Sequence, residues 1–304
     1  MSNILATGGA GFIGTHVVND LITKGHSVTV LDNLSLGIKE NINPKANLIV
    51  GDIRDSEAVT KSLKNIDVVI HMAGLIVVPD SVKDPILYSQ NNVMGTLNLL
   101  DCMRKVNVKK FIFSSSACVY GTPEKLPITE DETIKPDNPY GASKAAVETF
   151  LQTFNVNYGI DAIILRYFNP YGPGEMHKPE THAIPNFIKA ALNKKPIPLY
   201  WNGEQIRDFI YIDDLVKAHV DVLDLKGYQI FNVGTENGIK VKDVVDKIFK
   251  ILGYEVPIKN SGKRAGDVEA NYASSSKIQK VIGWKAETSL DEGLRKTIDF
   301  YKNL

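Results

Sequence analysis

The sequence TGGAGFIG at residues 7–14 decides the fold. It follows a short apolar run, residues 4–7, and leads into residues 12–23, which have the length and composition of a helix. Its glycines satisfy the spacing GxGxxG at positions 9, 11 and 14 and the spacing GxxGxxG at positions 8, 11 and 14. Only glycine permits a tight turn, a close approach of the backbone to a pyrophosphate, and close packing of the helix on the strand. The stretch therefore predicts a strand, a phosphate-binding turn and a helix that open a βαβ unit.

An acidic residue follows at the distance that a dinucleotide site requires. Asp32 ends the next predicted strand, about 20 residues beyond Gly14. A carboxylate there accepts hydrogen bonds from both ribose hydroxyls and repels a 2′-phosphate, so the sequence predicts NAD rather than NADP. The alternative is a glycine-rich turn in which Asp32 acts only as a cap, and the context of strand, turn and helix favours dinucleotide binding.

Short apolar runs alternate with helix-length segments through the first half of the chain. The predicted strands are residues 4–7, 27–31, 47–50, 68–71, 110–114 and 161–166, and the predicted helices are residues 12–23, 56–63, 91–105 and 143–158. This alternation predicts βαβ units, and nearly unbroken apolar strands are typical of a parallel sheet that is covered on both faces. The predicted fold class is therefore α/β, a doubly wound parallel sheet of the Rossmann type.

The composition changes after residue 166. Prolines and glycines crowd residues 170–203, which predicts irregular backbone. Later helices are predicted at residues 184–192, 213–223, 241–252 and 290–301. We therefore expect an NAD-binding domain at residues 1–168, with a returning segment around residues 206–234, and a smaller C-terminal α/β domain at residues 169–304 that binds the substrate.

The composition argues against several classes of protein. The 304 residues include 35 Lys and Arg and 35 Asp and Glu, so the formal net charge is zero, which argues against a nucleic-acid partner held by a basic surface. No apolar run approaches the roughly 18 residues that span a bilayer, and the N-terminus lacks the features of a secretory signal. Cys102 and Cys118 lie in apolar segments and form no metal-ligand pattern. We expect two buried thiols, no metal, no membrane partner and a cytoplasmic protein.

A serine run and a Tyr/Lys pair predict the chemistry. Residues 114–116 are serines at the end of the fifth predicted strand, and Tyr140 and Lys144 are spaced so that they share one helix face. The reference pKa of tyrosine is about 10, so the phenol is a poor base at neutral pH unless a cation stabilises the phenolate. Lys144 and an oxidised nicotinamide would both do so. With a serine hydroxyl that bridges to the substrate, these groups can take a proton from an alcohol while its carbon gives hydride to NAD.

The Tyr/Lys pair also has a plainer interpretation, as a surface tyrosine and a solvated lysine. The NAD motif and the serines upstream favour catalysis. Two other tyrosines, Tyr120 and Tyr158, lack a lysine four residues on.

Two further strand-end residues have competing interpretations. His71 ends the fourth predicted strand, and we interpret it as a structural histidine. Asp52 either reaches the adenine amino group or forms an ordinary turn at a helix start, ahead of Arg54 and Asp55.

These motifs resemble the extended short-chain dehydrogenase/reductase family. The resemblance is carried by residues 8–14, 32–34, 52–53, 92–96, 114–116, the Tyr140/Lys144 pair and residues 166–170, and it extends through residues 207–209 and 264–267 to residues 290–294. Within that family the pattern is most similar to the 4-epimerases of UDP-hexoses. It implies inversion at C4 of UDP-glucose or UDP-galactose, or of their N-acetylated forms, through a transient 4-keto sugar with NAD permanently bound.

The resemblance also implies roles for individual residues. The catalytic residues would be Ser116, Tyr140 and Lys144. NAD would be bound by the glycine turn and by the loops at the strand ends, which are Gly8, Gly11, Phe12, Ile13, Gly14, Asp32, Asn33, Ser35, Asp52, Ile53, Met72, Ala73, Gly74, Asn92 and Phe168, together with Tyr140 and Lys144. The UDP-sugar would be bound by Ser116, Asn169, Arg207, Arg264 and Asp267. Two guanidiniums suit a diphosphate, although Arg207 could instead pair with Asp208 or Asp213.

The chain departs from the family pattern at three positions. Ile76 stands where many epimerases have a lysine near the cofactor phosphates, and His182 stands where an asparagine is common. Asn271 falls near a position that is a bulky aromatic in some relatives. A smaller side chain there leaves room for an N-acetyl group at the 2-position of the sugar, so the preferred sugar stays open.

The resemblance includes enzymes with other reactions. A 4,6-dehydratase needs an acid and a base directly after the fifth strand, usually an Asp–Glu pair, and Ala117 and Cys118 occupy those positions. Neither can move a proton at C5 or C6 of the sugar, so the sequence favours epimerisation. The remaining alternatives are a UDP-glucuronate decarboxylase, a net reductase with exchanging cofactor, and an NAD-binding regulator without catalysis.

The resemblance implies a homodimer that forms through two helices. Their apolar residues exceed a narrow stripe, and these residues are Val93, Leu97, Leu100, Met103, Val147, Phe150, Leu151 and Phe154. The alternative is that covering the sheet uses all of them.

Overall fold

The structure of the chain, a computed structural model, describes residues 1–176, 182–262 and 268–304. The chain divides into two compact units. The first unit comprises residues 1–121, 134–166 and 216–231, and the second comprises residues 122–133, 167–215 and 232–304.

The strands alternate with helices along the first unit and are shorter in the second. The strands are β1 (Asn3–Thr7), β2 (Ser27–Asp32), β3 (Asn47–Val50), β4 (Val68–His71), β5 (Lys110–Ser116), β6 (Asp161–Tyr167), β7 (Asn169–Tyr171), β8 (Ile197–Leu199), β9 (Ile206–Tyr211), β10 (Tyr228–Val233), β11 (Gly238–Lys240), β12 (Ile258–Asn260) and β13 (Ala270–Asn271).

The helices range from one turn to more than five turns. They are α1 (Phe12–Thr23), α2 (Ser56–Ser62), α3 (Val78–Lys83), α4 (Pro85–Tyr88), α5 (Gly95–Lys105), α6 (Pro139–Tyr158), α7 (Ala183–Leu192), α8 (Ile212–Asp221), α9 (Val241–Leu252), α10 (Ser276–Ile282) and α11 (Leu290–Lys302). A π-helical turn, Ser89–Met94, precedes α5. No helix in the described part of the chain is both long enough and apolar enough to cross a bilayer.

A seven-stranded sheet forms the core of the fold, in the order β10-β6-β5-β4-β1-β2-β3. β1 pairs in parallel with both β2 and β4, so the strand order reverses between β1 and β4. In doubly wound sheets the ligand lies at this switch point, outside the carboxyl ends of the strands. The predicted fold class is confirmed, and the predicted glycine turn lies at the switch point because it directly follows β1.

The central strands are covered on both faces, as their apolar composition predicts. All residues of β4 and β5 are buried. An apolar cluster packs these strands against α2, α5 and α6, and it contains Leu99, Leu100, Met103, Val147 and Leu151. Four of the eight residues expected at a dimer interface therefore cover the sheet instead. These residues are Leu100, Met103, Val147 and Leu151.

Two helix starts differ from the prediction. α6 begins at Pro139 rather than at residue 143, because the Asn138 side chain accepts a hydrogen bond from the Gly141 amide and caps the helix. The segment predicted as one helix from residue 91 begins instead as the π-helical turn and continues as α5. Tyr140 consequently lies in the first turn of α6, one turn before Lys144.

The second unit contains small sheets that the sequence analysis did not predict. β9 pairs with β11, β13 and β7, and β8 pairs with β12. Most of these strands have only two or three residues, and Pro170 and Pro198 lie within two of them, so no alternating pattern marks them in the sequence. The fully buried Asp208 of β9 accepts hydrogen bonds from Thr235 and from the Ala273 amide, which joins β9 to the segments around it.

Candidate active site

The glycine turn brings the backbone after β1 against the backbone after β4. Gly8 has a positive φ of 71°, and a Cβ there would lie 2.6 Å from the Ala73 amide nitrogen. A Cβ on Gly14 would lie 2.2 Å from the Gly8 carbonyl oxygen, so α1 packs directly on the turn. The Cβ position of Gly11 is open, with only the Gly8 carbonyl oxygen nearby, at 3.4 Å. Gly11 is the N-cap residue of α1, and it has no side chain that could hydrogen-bond to the first amides of the helix. The turn therefore fits an anion held at the Phe12 and Ile13 amides.

Asp32 lies beside this turn, at the end of β2. Its carboxylate accepts hydrogen bonds from the Ala10 amide (3.0 Å) and the Leu34 amide (2.8 Å). These bonds are the capping contacts of the plainer interpretation. They leave lone pairs on both carboxylate oxygens for a ribose, because each oxygen can accept a second bond.

Asn33, Ser35 and Asp52 form a second polar group at the ends of β2 and β3. Asn33 donates to Asp52 (3.1 Å) and accepts from the Ser35 amide (3.0 Å). The Arg54 guanidinium donates two hydrogen bonds to Asp52, and this pairing lowers the pKa of the Asp52 carboxyl well below its usual range. The geometry matches the helix-start interpretation of Asp52, and contact of Asp52 or its buried neighbour Ile53 with adenine stays a prediction.

The residues after β4 line the approach to Lys144. The Met72 amide donates to the Thr7 carbonyl (3.1 Å), which continues the β1–β4 pairing to Met72. A Cβ on Gly74 would lie 3.3 Å from Asn92 Oδ1 and 3.6 Å from Lys144 Nζ. The backbone at Gly74 thus passes close to both side chains.

Asn92 is buried in the π-helical turn and holds the loop after β4. It accepts from the Leu75 amide (2.8 Å) and donates to the Leu75 carbonyl (3.0 Å) and to Ser143 Oγ (3.0 Å). π-helical turns are frequent at functional sites. Here the turn directs an amide side chain toward α6, which no sequence pattern indicated.

His71 is a structural histidine, as expected from the sequence. Its ring nitrogens hydrogen-bond to Thr7 Oγ1 (2.6 Å) and Thr96 Oγ1 (2.8 Å), and the side chain is buried. Burial, followed by the nearby Lys144 ammonium, lowers the pKa of His71 to about 3. The imidazole is therefore neutral and ties β4 to β1 and α5.

The structure brings Ser116, Tyr140 and Lys144 together in the first unit. All three are at most 9% exposed, and Tyr140 and Lys144 share one face of α6. Ser116 lies close enough to the Tyr140 hydroxyl to lower the pKa of the phenol. Lys144 Nζ donates to the Ser114 carbonyl (2.8 Å) and lies 5.9 Å from the centroid of the Tyr140 ring. This is the arrangement that the pattern of serines, tyrosine and lysine predicts.

The pKa of the Tyr140 phenol in the chain alone is shifted in the direction opposite to the expectation. Sequence reasoning expects Lys144 to lower the pKa of Tyr140, whereas burial raises the pKa of Tyr140, and the hydrogen bond from Ser116 offsets this only in part. Burial also lowers the pKa of Lys144 to about 8. In the chain alone, the cost of burying a phenolate is the largest influence on the pKa of Tyr140.

Asn169 and Arg207, two of the candidate substrate residues, lie in the second unit, whereas Ser116 lies in the first. Asn169 donates to the Asp208 carbonyl (3.0 Å), and the Phe168 amide donates to the Val233 carbonyl (3.3 Å). The Arg207 guanidinium donates to the carbonyls of Ile206 and Val268, both at 2.7 Å. Arg264 and Asp267 lie outside the described residues.

His182 and Asn271, two of the three positions that depart from the family pattern, have polar side chains with different surroundings. His182 Nδ1 hydrogen-bonds to the buried Glu175 carboxylate, at the start of α7. Asn271 is buried on β13, beside Arg207 in the register of β13 and β9, and its Oδ1 has no hydrogen-bond partner within the described chain. Ala117 begins a short 3₁₀ turn after β5 and is buried, whereas Cys118 is only half-buried, contrary to the expectation of two buried thiols.

Sequence reasoning assigned no role to two residues next to the catalytic group. Glu148, one turn beyond Lys144 on α6, forms a buried ion pair with Arg166 of β6. The signal in the sequence was a carboxylate four residues after Lys144, on the same helix face. Clusters of three or more metal-ligating side chains do not occur among residues 1–176, 182–262 and 268–304.

Comparison with known proteins adds relatives that match along nearly the whole chain. The model of the NAD dependent epimerase/dehydratase family matches residues 4–234. A putative UDP-glucose 4-epimerase of Methanocaldococcus jannaschii is 41% identical over 303 residues, which cover 99% of this chain and 98% of that protein. The crystal structure of a UDP-glucose 4-epimerase of Thermotoga maritima with UDP-glucose matches with a TM-score of 0.96 and 36% identity, over 99% of each chain. A UDP-N-acetylglucosamine 4-epimerase of Methanobrevibacter ruminantium, in complex with UDP-N-acetylmuramic acid, matches with a TM-score of 0.94 and 37% identity, over 99% of this chain and 98% of that one.

Two glycine substitutions separate the folding role of the turn from its binding role. We expect G14A to lower the free energy of unfolding by about 3 kcal/mol, because its Cβ would overlap the Gly8 carbonyl oxygen. We expect G11A to change that free energy by less than about 1 kcal/mol. G11A should nevertheless weaken NAD binding at least about tenfold, because its methyl group would stand where the pyrophosphate approaches the backbone. Urea unfolding and calorimetric titration with NAD measure the two quantities, and unchanged NAD affinity in G11A would show that the turn serves folding alone.

Proposed function

The chain belongs to the NAD-dependent epimerase/dehydratase family, and from that premise we propose that it inverts C4 of UDP-hexoses, interconverting UDP-glucose and UDP-galactose. The observation that carries the proposal is the buried group of Ser116, Tyr140 and Lys144 at the carboxyl end of β5. The relatives named above support it, since the curated relative and both solved structures are named as 4-epimerases of UDP-sugars.

The residues of the chain divide the proton chemistry among them. NAD, when bound, supplies the carrier that removes hydrogen from C4 and returns it to the opposite face of a transient 4-keto sugar, so no net oxidation occurs. Tyr140 takes the proton of the 4-hydroxyl and gives it back, and Ser116 relays or orients that proton. Lys144 stays charged on the Ser114 carbonyl and stabilises the phenolate.

The residues after β5 favour epimerisation over the other reactions of the family. The family name covers both epimerases and dehydratases, so the fold does not choose between them. Ala117 and Cys118 stand where dehydration requires an acid and a base, and a methyl group cannot transfer a proton. Net reduction predicts activity that consumes added NADH in proportion to product, whereas epimerisation predicts turnover without any added nicotinamide.

Replacing the phenol tests the proposed base. We expect Y140F to lower kcat by about 100-fold or more while NAD affinity and the free energy of unfolding stay unchanged, because only the transferable proton is lost. Y158F is the matched control, since Tyr158 is an exposed tyrosine at the end of the same helix and should not affect turnover. Coupled assay of UDP-galactose conversion provides the measurement, and normal turnover by Y140F would remove this residue from the mechanism.

The nucleotide part of the substrate is assigned to the second unit by the same proposal. Arg207 is held by two backbone carbonyls, which fixes a planar, charged donor suited to a diphosphate. Asn169 is held by the Asp208 carbonyl in the neighbouring strand. Arg264 and Asp267 belong to the proposed set on the family resemblance alone.

Asn271 is proposed to face the 2-position of the sugar. Its buried, unpaired Oδ1 is an acceptor that an N-acetyl or hydroxyl group could satisfy. We expect the chain to convert both UDP-glucose and UDP-N-acetylglucosamine. We expect N271Y to lose the N-acetylated substrate and keep UDP-glucose, because the larger ring fills the space. Product analysis by NMR with both substrates decides this, and equal use of the two sugars by N271Y would contradict the assignment.

A homodimer is proposed for the first unit. Some of the apolar side chains that the core leaves exposed lie on α4, the π-helical turn and α6, among them Ile86 (64% exposed), Met94 (59%) and Phe150 (40%). Exposed apolar residues on neighbouring elements are typical of an interface. A cytoplasmic location belongs to the same proposal and is supported by Cys102 and Cys118, both free thiols.

Sedimentation tests the dimer. We expect a particle of twice 33.6 kDa at micromolar concentration, and a shift to the monomer in M94E/F150E, because carboxylates would be buried at the interface. K45E, an exposed substitution on another part of the first unit, is the control for added charge. A monomer of the unsubstituted chain would refute the proposal.

A further inference from the structure

Behind the catalytic group lies a buried ion pair that the proposed reaction does not use. Glu148 and Arg166 are 4% and 2% exposed. Arg166 donates to both carboxylate oxygens of Glu148, from Nη2 to Oε2 at 2.6 Å and from Nε to Oε1 at 3.1 Å. The pair thus has the two-point geometry that makes such contacts directional.

The pair joins four segments of the first unit. Ser115 of β5 donates to Glu148 Oε1 (2.5 Å), and Arg166 of β6 donates from Nη1 to the Tyr120 hydroxyl (2.7 Å). Tyr120 follows the 3₁₀ turn after Ser116, and its ring also lies 4.8 Å from the Arg166 guanidinium carbon. β5, the turn beyond it, α6 and β6 therefore meet at one carboxylate and one guanidinium.

Three successive turns of α6 contact the three serines of β5. Tyr140 meets Ser116, Lys144 meets the Ser114 carbonyl, and Glu148 meets Ser115 Oγ. Tyr140, Lys144 and Glu148 are spaced four residues apart along α6, so they lie on the same face of the helix. A slip or rotation of α6 that broke the third contact would displace the first two.

Stability does not account for this pair. Burying two charges costs free energy that the mutual attraction barely offsets, and apolar residues of similar size commonly give equal or greater stability. Directional contacts, in contrast, allow one arrangement only. A buried pair of this kind is better suited to specifying the position of α6 than to holding the unit together.

We propose that Glu148 and Arg166 are positioning residues of the active site: the pair fixes α6 on the serine run, so that Tyr140 and Lys144 keep their places, and its carboxylate supplies a negative charge facing Lys144. The inference rests on the proposed function for its kinetic consequence. Its geometric basis is independent of the substrate.

The charges around Lys144 predict how the loss of the Glu148 carboxylate would change the pKa of Lys144. The titratable groups that face it are Tyr140 and Glu148 on α6, His71 on β4 and Cys118 after β5. Burial lowers the pKa of Lys144, and Glu148 opposes that effect. Loss of the carboxylate lowers the pKa of Lys144 further, so the ammonium loses its proton at a lower pH.

The test compares a charge-removing variant with an apolar replacement of the whole pair. We expect E148Q to lower kcat by roughly 100-fold with little change in KM, because displaced reacting groups affect the chemical step more than binding. The alkaline limb of its pH profile should move to lower pH. E148L/R166M should unfold at a denaturant concentration close to that of the parent chain and still have a low kcat.

D20N, which breaks an exposed ion pair with Lys24 at the end of α1, is the control and should leave both activity and pH profile unchanged. A double variant with the parent's kcat and pH profile would overturn the proposal, and it decides the matter even if E148Q fails to fold. Parent-like turnover per folded molecule in E148Q would also overturn it.

Titration of Lys144 by NMR separates this proposal from the proposed function. In protein labelled on its lysine side chains, with the Lys144 signal identified by its absence from K144M, the ammonium should titrate at lower pH in E148Q than in the parent. This measurement needs no substrate. If the parent chain fails to convert UDP-glucose, the proposed function fails while this shift still supports the pair, and an unchanged titration overturns the charge role whatever the activity.

Discussion

The buried ammonium of Lys144 constrains everything around it. A cation inside a protein needs acceptors, and here the Ser114 carbonyl supplies one directly while Glu148 supplies compensating charge one helical turn away. Ser114 lies one residue beyond the last pair of β4 and β5, which is His71 with Phe113, so its carbonyl lies past the end of β4. The position of the ammonium in turn determines where a phenol on the same helix face can interact with its positive charge. The arrangement of Lys144 and Tyr140 on α6 is thus tied to satisfying one buried charge.

The sequence predicts the first unit well because its signals are local and strong. Unbroken apolar runs, the glycine spacing and Asp32 define β1, α1 and β2, and the observed bounds of α1 match the prediction. The spacing of Tyr140 and Lys144 predicts their shared helix face without knowledge of any distant contact. Spacing alone does not predict the contact with Ser143 of α6 that is made by Asn92, which lies far from α6 in the sequence.

The remainder was unpredictable for physical reasons. The direction of the Tyr140 pKa depends on the competition between burial and charge, and burial is a property of the folded chain. The small strands of the second unit are too short for a period of two to be recognised, and β7 and β8 contain proline. Likewise, half of the apolar residues assigned to an interface lie in the core, because a helix face that covers a sheet and one that covers a partner have the same composition.

The π-helical turn has a consequence for how the chain tolerates changes in length. Within Ser89–Met94 the backbone accommodates one more residue per turn than an ordinary helix, and Asn92 points inward because of that surplus. Deleting a single residue would close the turn to α geometry and rotate the preceding positions by about 100° around the helix axis relative to α5. The amide would then leave the loop after β4, although every apolar contact of α5 could persist. We therefore expect that inserting or deleting one residue in this segment, rather than substituting one, gives a chain that folds but does not function.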